Sequence, residues 1–302
     1  MMRRTKGFTL VELLVVVGII GLLAAILVPT LQQANELTNR TVCMSNLSSV
    51  GKALTLYKGT NDNLWPWLSD KLKSWDTTAT GQNRGDDPFE DANNPGDRAV
   101  TAMMFLLVRE NQPVKLFICP STDDRKDENI RDDANAEEEE EPEYFWDFSY
   151  YFNVSYSWQA PIEDKNGKYR QGLNDNDNDT VAMGDRTPAE ATDEWMNSEW
   201  DPDLKGEKVR AHVSQNHSRG KQQNVLFVGM NVSKSDRPDI AVNNDMIFTA
   251  SSKYKRGSRS ATSISISDHK STRDTYLIGP VSSGSDDEDP DDIDPDPGSG
   301  TD

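Results

Sequence analysis

The sequence predicts an α+β fold in which one long N-terminal helix, part membrane-spanning and part amphipathic, packs on an antiparallel β-sheet. Three observations lead there. An apolar run, Phe8–Val28, passes without a turn signal into a segment whose apolar residues recur every three or four positions. Turn chemistry then stops the periodicity at Gly59–Asn63, "GTNDN". Beyond it come short runs rich in β-branched and aromatic residues, bounded by Asn, Asp, Gly and Pro, which is the pattern of strands.

The first element is Phe8–Val28. As a helix it is roughly 31 Å long, the thickness of a bilayer's hydrocarbon layer. Glu12 is its one charged residue. Gly18, Gly21, Ala24 and Ala25 give it small faces suited to close helix packing. Arg3, Arg4 and Lys6 precede it, so the positive-inside rule holds the N-terminus in the cytoplasm and exports the chain beyond Pro29. A cleaved secretory signal is the alternative, but the run is long for such a signal and it lacks an A-x-A site with a polar residue after it. The expected organisation is a leader (1–7), a transmembrane half-helix (8–28), an amphipathic half-helix (29–58), an exported globular α+β domain (59–281) and an acidic disordered tail (282–302).

In the second half of the helix Leu31, Ala34, Leu37, Met44, Leu47, Val50, Leu54 and Tyr57 form the apolar stripe. Pro29 removes a backbone donor at its start, where a kink or local melting is expected. Strands are expected within Val114–Ile118, Tyr144–Trp158, Thr180–Gly184, Asn224–Lys234, Asp245–Ala250 and Thr275–Gly279. Further helices are expected at Asp70–Trp75 and Asp97–Glu110, the latter capped by Asp97.

The net charge of −19 argues against nucleic acid and anionic lipid surfaces as partners of the exported part. Much of that charge lies in two low-complexity runs, Asn135–Glu143 and Ser282–Asp302, which lack the apolar residues to offset ordering. The chain has two cysteines, Cys43 and Cys119. Export would place them in an oxidising compartment, where the alternatives are a disulfide and a pair of buried free thiols.

Glu12 raises the functional question, because a carboxylate in hydrocarbon is costly and needs a partner. One answer is interfacial: in the first helical turn it reaches the headgroups and meets the positive end of the helix dipole. A second answer comes from cutting the chain between Gly7 and Phe8. The new α-amine, with a reference pKa of about 7.7–8.0, is cationic near neutral pH. It lies four residues before Glu12, within reach of its own carboxylate or a neighbouring subunit's.

The stretch "KGFTLVELLVVVGIIGLLAAILVP" resembles the class III, prepilin-type signal of type IV pilins and type II secretion pseudopilins. The resemblance implies that prepilin peptidase cuts after Gly7, that Phe8 becomes the N-methylated terminus, that Glu12 directs assembly and that Pro29 bends the helix. It implies a pilin-like fold and a structural subunit, not an enzyme, of a type II secretion or type IV pilus-like filament. The subunit would sit in the inner membrane with its C-terminal domain in the periplasm. Its partners would be copies of itself, other pilin-like subunits, the peptidase, an inner-membrane assembly platform and the lipid bilayer, with no cofactor required. A membrane-anchored periplasmic or cell-surface binding module that does not polymerise is the alternative.

A second segment, "CMSNLSSVGKALTLYKGTNDNLWPW" (Cys43–Trp67), is similar to the planctomycete-type pseudopilin-like group, as is "LFICPS" (Leu116–Ser121). That likeness implies Cys119 near the helix that carries Cys43, which supports the disulfide. In the same group a His-containing loop leads into a hairpin, matched here by His217, Gly220, Asn224, Leu226 and Phe227. Gly229-Met230 stands where the group has Asp-Gly, so the turn departs from the pattern. His217 is expected to fix a loop by hydrogen bonding; with His212 it is a weak candidate for metal.

Asp175, Asp177 and Asp179 alternate in a manner that suits calcium, which the resemblance to major pseudopilins also suggests. They lack an EF-hand's turn glycine and terminal glutamate, so a solvated acidic turn is the simpler expectation. Trp65, Trp67, Trp146, Trp158, Trp195 and Trp200 are expected to fill core rather than bind sugar or protein.

Overall fold

The computed structural model describes residues 9–67, 75–76, 98–99, 101–130, 141–142, 145–159, 162–163, 169–170, 173–175, 177–186, 213–217, 221–241, 247 and 277–278. Helix α1 runs from Leu10 to Thr60. A capping box opens it: Thr9 Oγ1 accepts from the Glu12 amide at 3.3 Å, and Glu12 Oε2 accepts from the Thr9 amide at 2.9 Å. Two backbone donors are thereby satisfied at an end that has no helical partners for them. The other end closes at Asn61, followed by Asp62 and Asn63 in the left-handed region (φ 51° and 62°), which short polar side chains tolerate. The Asn63 amide donates to the Lys58 carbonyl at 2.9 Å. Helix α1 is continuous through Pro29 rather than locally melted. Proline removes a single donor there, and Thr30 Oγ1 caps the Leu27 carbonyl at 2.8 Å.

The helix has a bare half and a seated half. From Leu10 to Val28 the large apolar side chains are exposed, between 45% at Val16 and 78% at Leu10. Leu31, Ala34 and Leu37 are exposed as well, so the expected stripe does not pack on the domain along its whole length. Burial begins at Cys43 and continues with Leu47, Val50, Gly51, Ala53 and Leu54. Gly51 permits a close approach: a Cβ built there would stand 3.1 Å from Leu226 Cδ1.

The seat is a five-stranded antiparallel sheet. Its strands are β1 (Tyr156–Gln159), β2 (Val181–Asp185), β3 (Gln223–Phe227), β4 (Val232–Ser235) and β5 (Leu277–Ile278), in the order β4-β3-β2-β1-β5. Register is fixed by pairs such as Ser157 opposite Gly184 and Val225 opposite Ser233. Every residue of β2 is buried, as expected for a strand covered on both faces. One cover contains α1, α2 (Thr101–Arg109) and the edge-to-face rings of Phe105, Phe117 and Phe148, with centroids 5.1 and 5.3 Å apart. The other is a smaller cluster of Val181, Val225, Ala241, Ile247 and Leu277. At the β3–β4 turn Met230 takes φ 63°, the left-handed conformation for which glycine is the usual residue, and its amide donates to the Phe227 carbonyl at 2.8 Å.

Several expected elements differ. Val114–Phe117 is a 3-10 helix and not a strand. Its neighbouring carbonyls find side-chain donors on α1 in place of a partner strand: Asn46 Nδ2 donates to Ile118 at 3.0 Å and Asn39 Nδ2 to Pro120 at 3.1 Å. Among the described residues of Tyr144–Trp158 the strand is confined to Tyr156–Trp158, because side-chain oxygens capture the preceding amides. Asp147 takes that of Phe148 at 2.8 Å, Asp127 that of Ser149 at 2.6 Å and Asn153 that of Tyr150 at 2.9 Å.

Helix α2 begins at Thr101; Arg98–Ala99 pairs in parallel with Trp75–Asp76. A second two-residue pair joins Ile162–Glu163 to Tyr169–Arg170. Asp97, residues 70–74, all of 245–250 except the buried Ile247, and the acidic tail lie outside the described residues.

Candidate functional site

Two features carry chemistry. The first is the start of α1. Glu12 Oε2 also accepts from Thr9 Oγ1, at 2.7 Å, so both groups that Thr9 offers are engaged by one carboxylate oxygen. Gly7 and Phe8 lie outside the described residues.

The second is a buried polar centre where four separate segments meet. Cys43 comes from the first seated turn of α1, Cys119 from the loop after the 3-10 helix, Asp185 from the end of β2 and His217 from the loop before β3. All four have no exposed surface. The two sulfurs and a His217 ring nitrogen lie within 4.8 Å of one another. Cys43 Sγ donates to Asp185 Oδ1 at 3.2 Å, and Tyr156 Oη donates to Cys43 Sγ at 3.2 Å. His217 Nε2 is 3.5 Å from Cys119 Sγ and 3.6 Å from Asp185 Oδ2. Its other nitrogen, Nδ1, faces Glu36 Oε1 and Ser121 Oγ, each at 3.2 Å. The Asn224 amide and Nδ2 donate to Asp185 Oδ2 at 2.6 and 3.3 Å.

The packing sets the electrostatics. Burial pushes the Cys43 thiol up, helped by its hydrogen bond to Cys119 and by the Asp185 charge. The same hydrogen bond lowers Cys119 to about 5, against burial and with help from His217. Burial raises Asp185 to about 7 although His217 opposes it. Burial draws the His217 imidazolium down, and its contacts with Cys119, Asp185 and Glu36 outweigh that, leaving it raised. Burial and the nearby Cys43, Cys119 and Asp185 raise Tyr156. Cys119, His217 and Glu36 stand in the order nucleophile, base, orienting acid, but a thiol with no exposed surface meets no substrate.

The two cysteines therefore lie together in this centre, and both are free in the structure. His217 fixes its loop to Glu36 and Ser121, as expected, and it also reaches both cysteines. His212 and Gly220 lie outside the described residues. Asp185 and Glu36 escaped sequence reasoning altogether. The only local signal was the one-turn spacing of Glu36, Arg40 and Cys43 with Asn39 and Asn46, a polar face on an otherwise apolar stripe.

Of the calcium candidates, Asp175 is ion-paired with Lys58, while the Asp177 carbonyl accepts from the Thr180 amide at 2.9 Å to close a turn that includes Asp179. Trp65 and Trp158 are buried, Trp67 and Trp146 pack against the core, and Trp195 and Trp200 lie outside the described residues.

Comparison with known proteins fixes the lineage of the first feature. Residues 2–28 match the family described as "Prokaryotic N-terminal methylation motif". Over that stretch the chain carries a type IV pilin-like N-terminal segment. The chain is 44% identical over 62 residues to a type IV wide pilus major component of Thermus thermophilus, covering 20% of the chain and 47% of that relative. It is 39% identical over 79 residues to the type II secretion system core protein G of Pectobacterium carotovorum, covering 26% of the chain and 50% of the relative. The corresponding protein of Klebsiella pneumoniae is 42% identical over 57 residues, or 19% of the chain and 41% of the relative. The chain thus spans about half the length of the curated relatives it matches. No solved structure matches it.

Proposed function

We propose that this chain is a structural subunit of a type II secretion or type IV pilus-like filament, assembled from the inner membrane. The observation that carries the reading is the bare half of α1. It is long and apolar enough to cross a bilayer, none of it is buried, and it is continuous with a half-helix seated on a sheet. A surface of that kind needs lipid or copies of itself around it. The match of residues 2–28 to the methylation motif supports processing by prepilin peptidase after Gly7 and methylation of Phe8.

In this proposal Arg3, Arg4 and Lys6 keep the leader cytoplasmic, and residues 59–281 form the exported domain with the acidic tail behind it. Glu12 is occupied by Thr9 within one chain. The amine freed at Phe8 is a stronger partner than a neutral hydroxyl, so processing would exchange that cap for a charge-assisted contact with a neighbouring subunit. The subunit's partners are then its own copies and related pilins, the peptidase and an assembly platform. Placing the chain in the planctomycete-type group rests on the likeness of the three segments that carry Cys43, Cys119 and His217.

Mass spectrometry of the mature N-terminus tests the reading. The expected product begins at N-methylated Phe8; an intact Met1 on membrane-resident protein overturns it and leaves a simple anchor. Glu12→Ala is expected to insert normally and to lose cross-linkable self-association.

A further inference from the structure

We propose that Cys43 Sγ, Cys119 Sγ and His217 Nε2 bind one zinc ion that clasps helix α1 to the sheet, with the Asp185 carboxylate beside them. Two thiolates and an imidazole are a zinc donor set, because the ion accepts N, O and S ligands in tetrahedral sites. With zinc bonds of about 2.0–2.3 Å, the edges of a tetrahedron of such donors are about 3.3–3.8 Å. The three donor atoms here all lie within 4.8 Å of one another, and Cys119 Sγ and His217 Nε2 are 3.5 Å apart. Contraction of the group by at most about 1 Å brings the donors to bonding positions.

The surrounding contacts are those that orient metal ligands. Glu36 and Ser121 hold His217 Nδ1, which fixes the ring with Nε2 turned toward the sulfurs. Asn224 holds Asp185 Oδ2 through two N–H groups, leaving Oδ1 on the Cys43 side. Charge argues the same way. Asp185 is wholly buried, as are two thiols and a tyrosine, and a divalent cation neutralises two of the negative charges that the site accumulates on losing its protons. Binding would release to solvent the protons that the ligands carry and form the zinc bonds without any redox change.

The clasp joins segments far apart in sequence: Cys43 comes from α1, and Cys119 and His217, which it also binds, are 98 residues apart. This inference is independent of filament assembly and concerns the exported domain alone.

Cobalt titration of the full chain in detergent, reduced and freed of metal, tests it. The expected result is a thiolate-to-cobalt charge-transfer band with tetrahedral cobalt absorption, saturating at one equivalent and erased by zinc. A spectrum without the thiolate band overturns the proposal, and this wild-type measurement stands even if a Cys119→Ser variant fails to fold. Glu36→Gln is expected to keep the band and weaken cobalt affinity by about 10–100-fold, since it removes a partner of His217 rather than a ligand. Thiol alkylation of protein taken from membranes without reductant supplies the second arm. Cysteines released by chelator alone support the metal, and cysteines released only by reductant establish a disulfide and overturn it.

Discussion

At Gly51 the long helix lies close against the sheet, and substituting it measures how tightly the two are seated. Alanine adds one carbon 3.1 Å from Leu226 Cδ1 and 3.6 Å from Met230 Sδ. The sulfur contact is ordinary and the methyl must give by a few tenths of an ångström. Against that, replacing glycine within a helix gains about 0.8–1.0 kcal/mol. The two effects nearly cancel, so Gly51→Ala is expected to lie within about 1 kcal/mol of the parent. Valine keeps only part of the helix gain and drives further methyls into the same neighbours, an overpacking cost of about 1–3 kcal/mol. Urea unfolding of the full chain in detergent, followed by the fluorescence of buried Trp65 and Trp158, reads both. If contact with Leu226 is the cause, Leu226→Ala costs less in the valine background than in the parent. Valine as stable as alanine, with no such coupling, would refute the close seat.

Other substitutions separate strong from weak contacts by the same assay. Leu47→Ala removes a fully buried side chain from the seated half and is expected to cost about 2–5 kcal/mol. Arg186→Ala leaves Asp124, 2.8 Å away and mostly buried, without its cation and is expected to cost about 3 kcal/mol. Lys58→Ala, which breaks a pair with the half-exposed Asp175 and lifts a cation from the Trp65 ring, is expected to cost about 1 kcal/mol and less in high salt. A large loss there would mean that this surface pair braces the helix end.

What could be read in the sequence was whatever depends on near neighbours. The long helix was legible because apolar spacing and turn residues are local, and the β3–β4 hairpin because its strands adjoin. The 3-10 helix at Val114–Phe117 was not. Its β-branched and aromatic residues satisfy a strand pattern, yet the donors that decide its backbone conformation, Asn39 and Asn46, sit 81 and 72 positions before the carbonyls they hold. The polar centre illustrates the same limit. Cys43, Cys119 and His217 each stood out, but Asp185 reads as the last residue of an apolar strand, and nothing local marks it as facing a thiol. Leu31 and Leu37 erred the other way, since periodicity records which face is apolar but not where the opposing surface ends.

The bare stretch of the helix, from Leu10 to about Asn35, projects roughly 40 Å at about 1.5 Å per residue. Any tension applied at its tip must enter the body through the short span between Glu36 and Leu54. There the grip is made by two asparagines, an ion-bonded histidine and a handful of aliphatic contacts. Strength under load is therefore concentrated at one socket, and a chain weakened there would shed its head while keeping its tail in place.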